Sequence, residues 1–73
     1  MRRYRAPTFR GYHLAWQHAY TQKTERESLD KLVTVEMAAR AKGWQVRSAG
    51  IPGRHLLYVS NDSLLAAKAE GII

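Results

Sequence analysis

The chain has 73 residues, no cysteine, and a net charge of +6 from 12 basic and 6 acidic side chains. That length allows one small domain with a modest core, and the lack of cysteine excludes disulfides and thiolate chemistry. No apolar run approaches the roughly 18 residues of a membrane span and no signal-peptide core is present, so a cytoplasmic protein with no membrane partner is expected.

The charge is unevenly spread. Residues 1–23 carry Arg2, Arg3, Arg5, Arg10 and Lys23 with no acid, a block of +5, whereas residues 24–73 carry seven basic and six acidic groups, for +1. Such a block repels itself and points to an anionic partner met by the first third of the chain. Eight of the twelve basic residues are arginine, whose planar fork suits phosphates and carboxylates alike.

Residues 1–10 read as a basic N-terminal arm. Ala6-Pro7 disfavours helix, and Arg2, Arg3, Arg5 and Arg10 alternate with Tyr4 and Phe9, a pattern that mixes ion pairs with stacking. Residues 11–73 read as a single small α+β domain. Residues 11–22 fit two templates. With period two, Tyr12, Leu14, Trp16, His18 and Tyr20 form one aromatic face of a strand. With helical period, Tyr12, Ala15, Trp16, Ala19 and Tyr20 form a stripe. Aromatic enrichment tips the balance to a strand.

A long helix is expected over 25–42. Thr24-Glu25-Arg26-Glu27 is a capping box, and Glu25 and Glu27 suit the positive end of the dipole. Arg40 and Lys42 suit the other end, and Gly43 suits a left-handed C′ position. Leu29, Leu32, Val33, Val35, Met37 and Ala39 fall on one broad arc, with Glu36 and Arg40 as an i,i+4 pair on its rim.

A β-hairpin follows. Residues 44–48 alternate as a half-buried strand does, Pro52-Gly53 makes a type II turn, and residues 54–60 form the second strand, with Arg47 and Arg54 near the turn end. Asn61-Asp62-Ser63 offers a cap for a short C-terminal helix packed by Leu64 and Leu65. The fold expected is thus one long helix on a small antiparallel sheet, hairpin plus N-terminal strand, with a short final helix.

Chemistry-bearing motifs are absent. His13 and His18 are five apart, on opposite faces of a strand, so neither metal nor cofactor is expected. No glycine-rich phosphate loop occurs, since Gly50 and Gly53 belong to the turn. His55, beside Gly53-Arg54, is the single candidate general base, against the ordinary role of a half-exposed strand histidine.

Two resemblances bear on function. Residues 39–55, with Gly43-Trp44 after a helix and Gly53-Arg54-His55 on the hairpin, resemble the small HicA-type mRNA-interferase toxins, which implies a double-stranded-RNA-binding-like fold and a hairpin histidine. Over its whole length, the chain's basic balance, its arginine and alanine richness and its lack of cysteine resemble the small RNA-polymerase-binding transcription regulators of lytic phages with GC-rich hosts. That second resemblance implies displacement of the promoter-specificity factor, and antitermination, by contact and without catalysis in the host cytoplasm. It carries over no residue by position.

The expectation is a monomeric, non-catalytic protein that binds host RNA polymerase. Its contacts would be Arg2, Arg3, Tyr4, Arg5, Phe9 and Arg10 on the arm, with Arg47 and Arg54 on the hairpin. The alternative is a small basic protein bound to a DNA or RNA backbone, a HicA-like toxin included.

Overall fold

The structure, a computed structural model, describes residues 5–69. It is α+β: a three-stranded antiparallel sheet and two helices, in the order β1 (Tyr12–Ala19), α1 (Glu25–Ala41), β2 (Val46–Ile51), β3 (Arg54–Ser60) and α2 (Asn61–Ala69). The strand order β1-β3-β2 puts β3 in the centre and leaves β1 and β2 as edges.

A tight turn starts β1. The Tyr12 N–H donates to the Phe9 carbonyl at 3.0 Å, and Gly11 between them takes φ +80°. The strand does not carry the single aromatic face its alternation indicates. Leu14 pairs with Tyr58 and Trp16 with Leu57, so Ala15 is an extra residue on β1. This bulge re-aims everything after it. Tyr12 and Leu14 share the side of Tyr58, whereas Trp16 and His18 share the side of Leu57 and His55. The same bulge overturns the expected separation of His13 and His18: they pair with Val59 and His55, two positions on one face of β3.

α1 stops one residue short of the expected end, by a Schellman motif. Gly43 takes φ +83°, its N–H meets the Arg40 carbonyl at 2.9 Å, and the Trp44 N–H reaches back to the Ala39 carbonyl at 3.2 Å. The capping box is not made at the other end. Thr24 makes no side-chain cap bond; its hydroxyl oxygen accepts from the Thr21 N–H at 2.8 Å instead. The reason is the preceding turn, which brings the Thr24 N–H to the Thr21 carbonyl at 3.0 Å and points the hydroxyl backward.

Only part of the apolar arc is buried. Ser28, Leu32 and Ala39 are buried and Val35 is half-buried, but Leu29, Val33 and Met37 are exposed, Met37 by 65 %. At 100° per residue the buried four lie on one narrow line, and a narrow sheet buries no wider stripe. Glu36 and Arg40 form the expected i,i+4 pair, at 3.8 Å.

The hairpin turn is as expected, with Gly53 at φ +90°, but β2 runs Val46–Ile51 rather than over 44–48. Trp44 is taken out of the strand because it completes the helix stop. α2 begins directly after β3, and Ser63 accepts the Gln45 N–H at 3.0 Å. Leu64 packs on the core, whereas Leu65 is 80 % exposed and does not.

The core cluster is Leu32, Ala39, Val46, Leu57, Val59 and Ala67, on the helix side of the sheet. β3 is buried on its other side as well: Leu56 is 0 % and Tyr58 3 % exposed. Among the described residues no helix is long and apolar enough to cross a membrane.

Candidate partner-binding surface

The sheet face away from α1 is where several of the expected contact residues meet. Arg47 pairs with Tyr58 across β2 and β3, and Arg54 lies four residues before Tyr58, on the same face of β3 by strand alternation. Phe9 comes down onto that face: its ring meets Tyr58 edge to face, with centroids 4.8 Å apart. The Tyr58 hydroxyl donates to the Pro7 carbonyl. The guanidinium carbon of Arg47 lies 3.9 Å from the centroid of the Phe9 ring. Pro7, Phe9, Tyr58 and Arg47 thus form one stack, which fixes the orientation of an exposed guanidinium.

Arg54 stands further along the same face, where its Nη1 donates to Gln17 Oε1 at 2.9 Å. Some four residue pairs separate it from Arg47, about 13 Å along the strands. Arg5 and Arg10 are exposed, Arg10 in the turn that leads into β1. Arg2, Arg3 and Tyr4 lie outside the described residues. Burial pushes the Tyr58 phenol above its ordinary pKa, and the charge of Arg54 pulls partly against it.

Tyr58 and Gln17 are members of this surface that the sequence reading left out. A signal for Tyr58 was present: Leu56-Leu57-Tyr58-Val59 is four apolar residues in a row, which marks a strand covered on both faces. With α1 on one face, the N-terminal stretch is the nearest cover for the other. The single aromatic face expected of β1 does not come together, because the bulge puts Tyr12 on the opposite side of β1 from Trp16.

His55 is held on the helix side. Its Nδ1 is 2.8 Å from Ser28 Oγ, and His18 Nδ1 is 3.0 Å from the same oxygen. Ser28 is 0 % exposed. Tyr20 packs on His55 with ring centroids 4.5 Å apart, and Trp16 stacks on His18. A serine hydroxyl can donate one hydrogen bond and accept two, so one serine can serve both rings. This arrangement ties β1, β3 and α1 together. It leaves the serine oxygen no approach from solvent, so it is not placed as a nucleophile. His13 is elsewhere, hydrogen-bonded to Asn61, and no cluster of metal-ligating side chains occurs among the described residues.

No family model matches the chain, and neither the curated proteins nor the solved structures give a match.

Proposed function

We propose that the protein is a non-catalytic binder, a phage-type regulator that contacts host RNA polymerase in the host cytoplasm and inhibits initiation, promotes antitermination, or both. The observation that carries this reading is the stack of Arg47 on Phe9 on Tyr58. It draws a segment from the most basic part of the chain onto a rigid sheet and orients an arginine there. Arg5, Arg10 and Arg54 extend the basic surface around it, and Arg2, Arg3 and Tyr4 of the arm are proposed as further contacts. Behind that surface stands one long helix packed on the hairpin and first strand, a scaffold that holds the contacts in register.

An acidic protein surface fits better than a nucleic-acid backbone. Residues 24–73 net only +1, and Glu25, Glu27 and Asp30 are exposed on α1. A nucleic-acid binder of this charge would instead bind duplex or RNA non-specifically, with affinity that falls steeply as salt rises. The toxin alternative is weighed against by two features: β1 precedes the first helix, and His55 is engaged by Ser28 under Tyr20. Capture from a nuclease-treated bacterial lysate tests the reading. Polymerase subunits are expected on the wild-type protein and not on a variant with Arg47→Glu and Arg54→Glu. RNA cleavage that depends on His55 would contradict it.

A further inference from the structure

The strand order β1-β3-β2 ends the sheet on β2. We propose that the outer edge of β2 is a strand-addition site for an extended, acidic segment of the protein partner. The proposal rests on the reading of a protein partner and names how its chain is held.

The turn decides which backbone groups face outward. Ile51 and Arg54 flank a two-residue turn and pair with each other, so they exchange the first hydrogen bonds of the ladder. In an antiparallel pair the bonded positions alternate. Ala49 and Arg47 therefore turn their N–H and C=O groups toward β3, and Gly50 and Ser48 turn theirs outward. Gly50 and Ser48 are both exposed, and neither enters a turn or cap bond among the described residues. Two donors and two acceptors thus stand in a row, the residues about 7 Å apart. The register of β2 on β3 is unbroken from Val46 to Ile51, and β2 holds no proline. The opposite edge differs, because the bulge at Ala15 interrupts the ladder of β1, and bulges blunt an edge against pairing.

Arg47 sets the chemistry of the incoming strand. It is the one charged residue of β2, and its backbone faces inward. The residue of an added strand directly opposite it forms a non-hydrogen-bonded pair, the closer kind, with Cα atoms about 4.5 Å apart. That residue's side chain lies beside the guanidinium, on the sheet face away from α1. The Phe9 ring holds the guanidinium without supplying an oxygen acceptor. β1, β2 and β3 contain no Asp or Glu. A carboxylate opposite Arg47 therefore meets an oriented, exposed arginine with no competing acid from the sheet. Ala49, half-buried on the same face, suits a branched apolar residue opposite it. A second copy of the chain would bring another Arg47 to this edge instead of a carboxylate, which favours an acidic partner. Main-chain bonds to an edge supply affinity in this mode of binding, and the side chains opposite supply selectivity.

The probe is capped Thr-Val-Thr-Glu-Thr, which places Glu opposite Arg47 when it runs antiparallel to β2. Titrated into the ¹⁵N-labelled full chain, it is expected to shift the Ser48 and Gly50 amides saturably and to slow their hydrogen exchange. The Arg47 and Ala49 amides, already bonded to β3, should gain little protection. Thr-Val-Thr-Lys-Thr should bind about tenfold more weakly, and Arg47→Glu should reverse that preference. Ser48→Pro should abolish binding and keep the fold, because its N–H bonds nothing within the sheet. The Glu peptide N-methylated at its central Thr removes the same contact without altering the chain, and it should not bind. Absence of saturable shifts in the unmodified chain, equal binding of the Glu and Lys peptides, or unimpaired binding of the N-methylated peptide overturns the proposal. So does slow exchange of Ser48 and Gly50 in the free chain that disappears on dilution, which marks a second copy as the occupant. Lysate capture separates the edge site from the function beneath it. Polymerase held equally by wild type and Ser48→Pro overturns the edge as its contact and leaves the regulator reading standing. Peptide binding without polymerase capture supports the edge site and overturns the polymerase as partner.

Discussion

Arg47 and Phe9 lie 38 residues apart in the chain, yet the guanidinium carbon of one is 3.9 Å from the ring centroid of the other. The contact joins the basic N-terminal stretch to the hairpin. If it is a true coupling, the two residues are not additive in stability. A double-mutant cycle of Arg47→Ala and Phe9→Ala is expected to show an interaction energy of about 0.5–1 kcal/mol. Additive losses on denaturant unfolding would mean the two residues act separately.

Ser28 is a second tie. Its hydroxyl is fully buried and serves both His18 and His55. Ser28→Ala leaves two ring nitrogens without their partner while changing the volume little. The expected cost is about 1–3 kcal/mol, read from chemical denaturation. A loss below about 0.5 kcal/mol, the size of an ordinary surface change, would mean that the rings find other partners at no cost.

Tyr58 predicts a loss of stability on the alkaline side. Burial raises its phenol pKa in the folded protein above the ordinary value of about 10. A raised folded pKa means the neutral phenol is favoured by folding. The stabilisation is complete below about pH 10 and disappears as pH rises through the raised value. Ionisation also removes the donor to the Pro7 carbonyl. Tyr58→Phe should be less stable than wild type at neutral pH and should lose less stability between neutral and strongly alkaline pH. Parallel alkaline profiles for the two proteins would contradict this.

Two glycines of the hairpin separate backbone from packing. Gly53 sits at φ +90° with open space where a Cβ would go, so Gly53→Ala costs only backbone strain, about 1–2 kcal/mol. Gly50 has no positive φ, and its Cβ would meet the His55 ring at an ordinary 3.9 Å. Gly50→Ala should be neutral or slightly stabilising, because Ala loses less chain entropy than Gly. Thermal melts of the two variants that coincide would argue against the turn geometry.

Local chemistry made much of the fold legible. Gly43 and Pro52-Gly53 marked a helix stop and a turn, and both stand where those residues require them. What could not be read were the consequences of two insertions into regular patterns. The extra residue Ala15 reverses the facing of Trp16 and His18, and no residue type signals a bulge at alanine. The helix stop claims Trp44, so β2 begins two residues later than alternation alone indicates. The burial of Tyr58 beneath Phe9 depends on a contact 49 residues apart in the chain, which neither periodicity nor propensity encodes. The candidate contact residues follow from charge asymmetry, and charge asymmetry does not reveal that Arg47 rests on an aromatic ring.

Binding of purified host RNA polymerase to the immobilised full chain, after nuclease treatment, tests the central claim most directly. Wild type should bind polymerase. Arg47→Glu with Arg54→Glu should weaken that binding at least about tenfold, with an unchanged fold by backbone chemical shifts. Wild-type protein that ignores polymerase yet binds duplex or RNA, with affinity falling steeply as salt rises, would contradict it.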